Sequence, residues 1–469
     1  MAKIPSAPST SRRDFLLSMP MVTAGFFALR GHVQAATPQV RRDIYGPLIP
    51  DPDGILDLPE GFSYRVVATV GDEMADGLLR SGRADGMAAF STDVPGQVAV
   101  VCNHEIGISA KGQGAFGKKN ARLKKIDPSL VHDFDENHIY QGGTTTMIYD
   151  LNERKLVKQW QSLVGTDRNC AGGPTPWGTW VTCEEPADLV KTTRSREQHG
   201  WAFEVPVTSE PSLTKPVPLK ELGRFRHEAI AVDPVSGVVY ETEDRGDGLI
   251  YRFLPKEKGN LAAGGKLQAL AILAKPSLDT RNWDELDGAK FPVGKRFAVT
   301  WIDIDDSSSP KDDMRFVYFD KGAARFARGE GMWFGENEIY FCCTNGGDSK
   351  AGQVFRYKPS PFEGTDKEST RPGELELFLE SDSTDLLEMC DNVTMAPWGD
   401  LVICEDGKGE QFVRGVARDG TVYNIAKNHS GSEFAGACFA PNAPHLFVNI
   451  QVDGLTLEIT GPWENRQFV

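Results

Sequence analysis

Long apolar runs are missing from this sequence. Its 469 residues are 40% hydrophobic, yet only Leu16 to Leu29 comes near the ~20 apolar residues a spanning helix needs. That run contains Pro20 and Gly25 and is closed by Arg30, so no membrane span is expected. Familiar catalytic signatures are missing as well. There is no G-x-S-x-G, no Walker A loop and no dinucleotide fingerprint, and neither His104-Glu105 nor His227-Glu228 continues into H-E-x-x-H. The eight cysteines show no zinc-type paired spacing. Positive charge is scarce: 51 Lys+Arg against 66 Asp+Glu leave −15, which argues against nonspecific nucleic-acid binding. What is abundant is Gly and Pro, 48 and 29 residues, above the usual ~12% of a chain. With no triplet period, that excess means many turns rather than collagen.

The N-terminus reads as an address. Ser11-Arg12-Arg13-Asp14-Phe15-Leu16-Leu17 carries a twin arginine ahead of the modest apolar run, and Val33-Gln34-Ala35 supplies a small-x-Ala end. This pattern resembles a twin-arginine (Tat) export signal over residues 1–35. It implies a Tat translocon as transient partner and a periplasmic or secreted product spanning 36–469. Loss of Lys3, Arg12, Arg13 and Arg30 with Asp14 takes the exported chain to −18.

One unit recurs six times: a polar residue, an apolar strand, a Pro/Gly/Asn/Asp turn, a second apolar strand and a closing polar cluster. The units begin at Asp85-Gly86, Cys170-Ala171, His227-Glu228, Glu330-Gly331, Asp391-Asn392 and Glu433-Phe434. Third strands follow in most units, with fourth strands at Leu156–Trp160, Val217–Leu222, Leu267–Leu273 and Leu375–Leu379. Four-stranded units repeated six times predict an all-β, six-bladed β-propeller. The last unit lacks an obvious fourth strand, and Phe62–Val70 is free to complete it. Two segments interrupt the repeat as loop or helical insertions, about 106–140 and 274–328. The first carries Lys111, Lys118, Lys119, Arg122, Lys124 and Lys125, and could either cover an anionic substrate or lie solvated on the surface.

In a propeller the start of each first strand and the end of each second meet at one rim. The residues at those phases include Asn103, Glu105, Cys170, Glu184, Glu185, Glu228, Asp244, Glu330, Asp391, Asn392, Glu405, Asp406 and Glu433. So many carboxylates converging on one axis repel unless cations neutralise them. Oxygen ligands suit hard ions such as Ca²⁺ or Fe³⁺. Cys170 stands where other units hold Glu228, Glu330 and Glu433. It is either a buried thiol or a ligand for a softer metal such as iron or zinc. Cys102, Cys183, Cys342, Cys343 and Cys404 fall on apolar second strands and read as small hydrophobes. Arg328, two residues before Glu330, is either a clamp for a phosphoryl oxygen or the partner of a rim carboxylate.

Asn103-His104-Glu105, Asn169-Cys170-Ala171-Gly172-Gly173, Arg226-His227-Glu228, Arg328-Gly329-Glu330-Gly331, Asp391-Asn392, Cys404-Glu405-Asp406-Gly407 and Glu433-Phe434-Ala435-Gly436 together resemble the PhoX family of alkaline phosphatases, over roughly residues 44–465. The resemblance implies a six-bladed propeller with a cluster of two ferric ions and calcium ions. It carries the iron-binding positions onto Cys170, Glu228 and Glu330, and the contact to substrate phosphate onto Arg328. It carries calcium ligands onto Asn103, Glu105, Glu184, Asp391, Asn392, Glu405 and Glu433. The expected activity is hydrolysis of small phosphomonoesters, with Arg328 and Glu330 catalytic and a neutral to alkaline optimum. The rival readings are a calcium-only propeller hydrolase of lactonase or phytase type, which has no use for a thiolate at Cys170, and a non-enzymatic calcium-binding propeller.

Overall fold

Short period-2 and continuous apolar runs, each stopped by a turn, form strands along the chain. The computed structural model describes residues 43–109, 112–135, 138–187 and 195–465; the expected leader with Arg12 and Arg13, and Lys111, lie outside these. The strands are β1 (Leu48–Ile49), β2 (Leu56–Pro59), β3 (Ser63–Thr69), β4 (Ala84–Ser91), β5 (Gln97–His104), β6 (Gly142–Asp150), β7 (Lys155–Thr166), β8 (Asn169–Pro174), β9 (Thr179–Glu184), β10 (Ala202–Pro206), β11 (His227–Val232), β12 (Val239–Glu243), β13 (Ile250–Pro255), β14 (Gly265–Ile272), β15 (Arg296–Asp303), β16 (Gly329–Gly335), β17 (Glu338–Cys343), β18 (Gln353–Lys358), β19 (Glu374–Glu380), β20 (Cys390–Met395), β21 (Leu401–Glu405), β22 (Gln411–Val416), β23 (Val422–Asn428), β24 (Phe434–Phe439), β25 (Leu446–Ile450) and β26 (Leu455–Thr460). One short α-helix among the described residues, α1 (Met314–Asp320), lies in the second insertion.

All strand pairs are antiparallel apart from isolated bridges. Consecutive strands form unit 1 (β4–β7), unit 2 (β8–β10), unit 3 (β11–β14), unit 4 (β16–β19), unit 5 (β20–β23) and unit 6 (β24–β26). β3 pairs with β26 from Thr69↔Leu455 to Ser63↔Thr460, so the expected N-terminal strand does complete the last unit. The six first strands β4, β8, β11, β16, β20 and β24 each touch the next, and β24 touches β4. The architecture is all-β and propeller-like.

Three features depart from the regular repeat. β2, with β1 on its outer edge, pairs with β23, so unit 5 extends to a six-stranded sheet. β15, from the 274–328 insertion, pairs with both β14 and β19, so units 3 and 4 share one nine-stranded sheet. The expected strand Val217–Leu222 is replaced by a bridge between Phe203 and Pro218 and a 3₁₀ turn at Lys220–Leu222. Pro216 and Pro218 bracket its start, and neither has an N–H to give a ladder.

First strands are buried on both faces, and their central residues are small because neighbouring backbones nearly touch. A Cβ on Gly331 would stand 2.5 Å from the carbonyl oxygen of Asp391. Gly86, Ala171, Ala229, Gly331, Asn392 and Ala437, one from each first strand, help line a common gap of about 20 Å³. The larger side chains pack between units, as where Phe341 and Phe355 meet Phe326. All eight cysteines are free and buried.

The 106–140 insertion folds as three short 3₁₀ turns. Its Phe116, Val131 and Ile139 pack with Met74 and Leu78. Arg122 pairs with Glu73 at 3.0 Å and, like Lys125, donates to the carbonyl of Gly77. Two of its basic residues therefore anchor the insertion to a neighbouring turn.

Candidate active site

The rim is built by one local device used six times. Every first strand carries a bulge: its register skips between Ala84 and Met87, Asn169 and Gly172, His227 and Ile230, Gly329 and Met332, Cys390 and Val393, and Ala435 and Cys438. A bulge turns a side chain out of the pleat's alternation. In five units the first skipped residue is Asp85, Cys170, Glu228, Glu330 or Asp391. In unit 6 it is Gly436, where φ is +65° and a Cβ would stand 2.2 Å from the Asp85 carbonyl. Glu433 therefore does not share the position of Cys170, as the sequence had suggested; it precedes its strand.

The bulge residues converge. Carboxylate oxygens of Glu228, Glu330 and Asp391 lie within 4.8 Å of one another, and so do those of Asp85, Glu105 and Glu433. Burial holds the Glu228 and Glu330 carboxyls well above the ordinary range, helped by Glu330 for the first and by Asp244 for the second. Burial and Asp406 push Asp391 up to about 8. Burial and a hydrogen bond with Asp406 push Glu433 up to about 12. Asp85 is raised by burial and then by Asp391 and Glu105, so the two groups form one electrostatic cluster. The Cys170 thiol, raised by burial and by Glu228, lies 3.3 Å from the carbonyl of His227.

Arginines enter at a second repeated position. The carbonyls of Arg83, Arg168, Arg226 and Arg328 accept from the N–H groups of Glu105, Glu185, Asp244 and Thr344 at 2.9, 3.2, 3.0 and 3.0 Å. The same places in units 5 and 6 hold Met389, opposite Asp406, and Glu433, opposite Gln451. Arg83, Arg168, Arg328 and Met389 all have left-handed backbone, φ +44° to +50°, a strain of about 1 kcal/mol or more each that a functional rim tolerates. Arg328 donates from Nε to Asp244 at 2.8 Å and from Nη2 to Glu330 at 2.5 Å. The rim-carboxylate pairing that the sequence left open is thus present.

Four of the expected ligands are placed in other surroundings. Glu184 and Glu405 end their strands one residue before Glu185 and Asp406, and one residue along a strand reverses the face. Glu184 accepts from the N–H groups of Gly200 and Trp201, and Glu405 from that of Phe412, with Arg414 at 2.8 Å. Both carboxylates thereby cap the start of the third strand inside their own unit. Asn103 donates to the carbonyls of Cys170 and Ala171 and accepts from Trp180 and Thr182, a full complement that ties unit 1 to unit 2. Asn392 donates to Asp391 at 3.0 Å and accepts from the N–H of Gly436, which links units 5 and 6 beside the cluster. The structure brings Glu228, Glu330 and Asp391 together, and Asp85, Glu105 and Glu433, with Cys170 beside Glu228.

The alkaline phosphatase PhoX family matches the chain over residues 44–454. The chain belongs to that family. It is a metal-dependent phosphatase of the PhoX type. Among solved structures it is similar to Pseudomonas fluorescens PhoX in complex with vanadate, a transition-state analogue. The two are 17% identical, the match covers 92% of this chain and 99% of that one, and the TM-score is 0.63. A gluconolactonase from Xanthomonas campestris also matches, at 11% identity over 90% and 100% of the two chains, with a TM-score of 0.39. No curated protein matches by sequence.

Sequence reasoning passed over several rim residues of this PhoX-family phosphatase. Asp85 was read only as the opening of unit 1. Arg83, Arg168 and Arg226 repeat the spacing of Arg328 to Glu330 in Arg83-Ala84-Asp85, Arg168-Asn169-Cys170 and Arg226-His227-Glu228, a signal that was available.

Glu184 belongs to a separate cluster with His132 and His199. His199 Nδ1 lies 2.6 Å from Glu184 and Nε2 3.3 Å from Asp133. Burial works to lower the His199 pKa, but Glu184 and Asp133 outweigh it and push it up to about 10. The imidazolium bridges unit 2 to the 106–140 insertion. His199→Leu is expected to cost about 3–5 kcal/mol, because two carboxylates are left buried without their cation, read as a lower denaturant midpoint at unchanged m. Because the folded pKa is raised, this stabilisation is complete below about 6.5 and fades as pH rises through about 10. A wild-type midpoint that does not fall across that window relative to the variant would contradict the bridge.

Proposed function

We propose that the chain is an exported phosphomonoesterase built as a six-bladed propeller, holding iron and calcium at its acidic rim and hydrolysing small phosphate esters. The observation that carries this reading is the convergence of buried, mutually repelling carboxylates from separate first strands, with the Arg328 guanidinium among them. Six first strands in a closed ring support the six-bladed count, with β15 as an added strand joining two blades. The twin arginine at Arg12-Arg13 supports Tat export to the periplasm or beyond.

The residues fit the metals. Asp85 Oδ1 is buried with no hydrogen-bond partner among the described residues, a lone pair that a cation would satisfy. Asp85, Glu105 and Glu433 offer oxygen alone, the donor set of calcium. Glu228, Glu330 and Asp391 stand with the Cys170 thiol, a set that suits iron. When bound, such ions neutralise the acids and withdraw charge from a phosphoryl group. The protein's own part is positioning. Asp244 holds the Arg328 guanidinium by Nε and Glu330 holds Nη2, leaving Nη1 to meet an equatorial oxygen of a phosphate. Glu330 orients the same group from the other side. The vanadate bound by the Pseudomonas fluorescens relative supports phosphoryl transfer as the chemistry.

The test is p-nitrophenyl phosphate turnover with elemental analysis, on protein from a Tat-competent host. Turnover is expected to vanish on chelation and return with iron and calcium, with a visible absorption band in the loaded protein. Hydrolysis undiminished by complete metal removal, or none in the fully loaded protein, would overturn this function; calcium without iron would point to the calcium-only hydrolase.

A further inference from the structure

The arginine positions make the rim asymmetric. Units 1–4 carry Arg83, Arg168, Arg226 and Arg328, whereas units 5 and 6 carry Met389 and Glu433 at the same register. Along the arginine side the charges alternate. Arg168 pairs with Glu185 at 3.3 Å, Arg226 pairs with Glu185 and stands 3.7 Å from Asp244, and Arg328 takes Asp244 and Glu330. The chain of charges stops at Thr344 and Met389. The arginines are thus confined to units 1–4, while Asp391, Asp406 and Glu433 crowd the opposite side.

Arg168 is the most open of the three arginines that form these ion pairs. Its side chain is 41% exposed, against 28% for Arg328 and 24% for Arg226. Its ion pair is to Glu185, a carboxylate that Arg226 also claims. A guanidinium has five N–H donors in a planar fork, so one ion pair through Nη1 leaves donors for a second anion. Neutralising Glu185 does not require that exposure, since Arg226 serves it from a more buried position. The local backbone agrees: φ at Arg168 is +44°, and its N–H donates to the carbonyl of Ile106 at 3.2 Å, where the first insertion begins.

We propose that Arg168 forms a second anion subsite, so that the enzyme prefers phosphate monoesters whose leaving group bears a further anionic group, a carboxylate or second phosphate. This rests on the phosphatase reading, with the reacting phosphoryl group at Arg328 and the leaving group reaching across unit 3 toward unit 2. A matched pair tests it: 3-phosphoglycerate and glycerol 3-phosphate differ by one carboxylate in place of a hydroxymethyl group. The wild-type holoenzyme is expected to favour 3-phosphoglycerate by about tenfold or more in kcat/KM, the scale of one charge-assisted hydrogen-bonded pair. Arg168→Gln should bring that ratio to near unity by raising KM for 3-phosphoglycerate, at unchanged iron and calcium content, and Arg168→Lys should keep part of the preference. No preference in the wild type, or equal losses on both substrates in Arg168→Gln, overturns the subsite and leaves the phosphatase standing. Metal loss in Arg168→Gln also overturns it, since the arginine would then serve only the acids. If the wild-type holoenzyme hydrolyses neither ester nor p-nitrophenyl phosphate, the phosphatase reading fails and the subsite with it.

Discussion

Glu330→Gln is expected to abolish phosphate-ester turnover and lower the metal content of the purified protein. Glu330 is the bulge residue of β16, buried, and within 4.8 Å of the Glu228 and Asp391 carboxylates. The substitution keeps volume and shape but removes the charge that a cation and Arg328 both need. It also exchanges an oxygen that accepts from Arg328 Nη2 at 2.5 Å for an amide that in one orientation can only repel it. The loss should reach at least about 10³-fold, above the 10²–10³ of a single misplaced electrostatic donor, because a ligand and an orienting group go together. Elemental analysis beside p-nitrophenyl phosphate kinetics reads both consequences. Retained metal with full activity would sink the assignment of the acid cluster as the catalytic centre.

Arg328→Ala separates substrate contact from scaffolding. Coulombic attraction to Glu330, and then to Asp244, holds the guanidinium charged far beyond any working pH. It is therefore a fixed positive fork held between Asp244 and Glu330 at the cluster. Its removal should cut kcat by about 10²–10³, the usual scale for losing one preorganised charge donor, while metal content stays at the wild-type level. Arg328→Lys should recover little, because a point charge cannot hold Asp244 by one nitrogen and Glu330 by another. Loss of metal from Arg328→Ala would show instead that the arginine serves to keep the acids in place.

Much of the architecture was legible because its periodicity is local. The paired apolar runs, the Pro- and Gly-marked turns and an acid or thiol near the start of most first strands recur at one phase. That recurrence located Glu228, Glu330, Asp391 and Cys170, and it assigned the strand after Phe62 to the last unit. Pro216 and Pro218 show where strand pattern yields to a missing N–H. Other features were harder. All four of Glu184, Glu185, Glu405 and Asp406 fall at the rim phase and the resemblance pointed to Glu184 and Glu405, since spacing does not tell which of two adjacent acids ends the pleat and which lies beyond it. Glu433 looked equivalent to Cys170, although the bulge residue of its strand is Gly436, three positions later, because the place of a bulge leaves no mark in the amino-acid string. The insertion at 274–328 hid β15, whose partners β14 and β19 come from different units.

By itself, then, the sequence determined the repeat, the strand phase, the acidic surplus and the family motifs, since each depends on spacing along one chain. Only the tertiary structure decided which acids share one volume of space. A carboxylate's role turns on angstroms of separation between strands that are tens or hundreds of residues apart, and on whether backbone N–H groups have already claimed its oxygens. Glu184 and Glu405 are claimed in that way, whereas Asp85, whose Oδ1 lacks a partner, is not. The same closeness converts six ordinary side chains into a cluster whose members cannot all be ionised without a cation. It also leaves Arg168 exposed on one side of the rim.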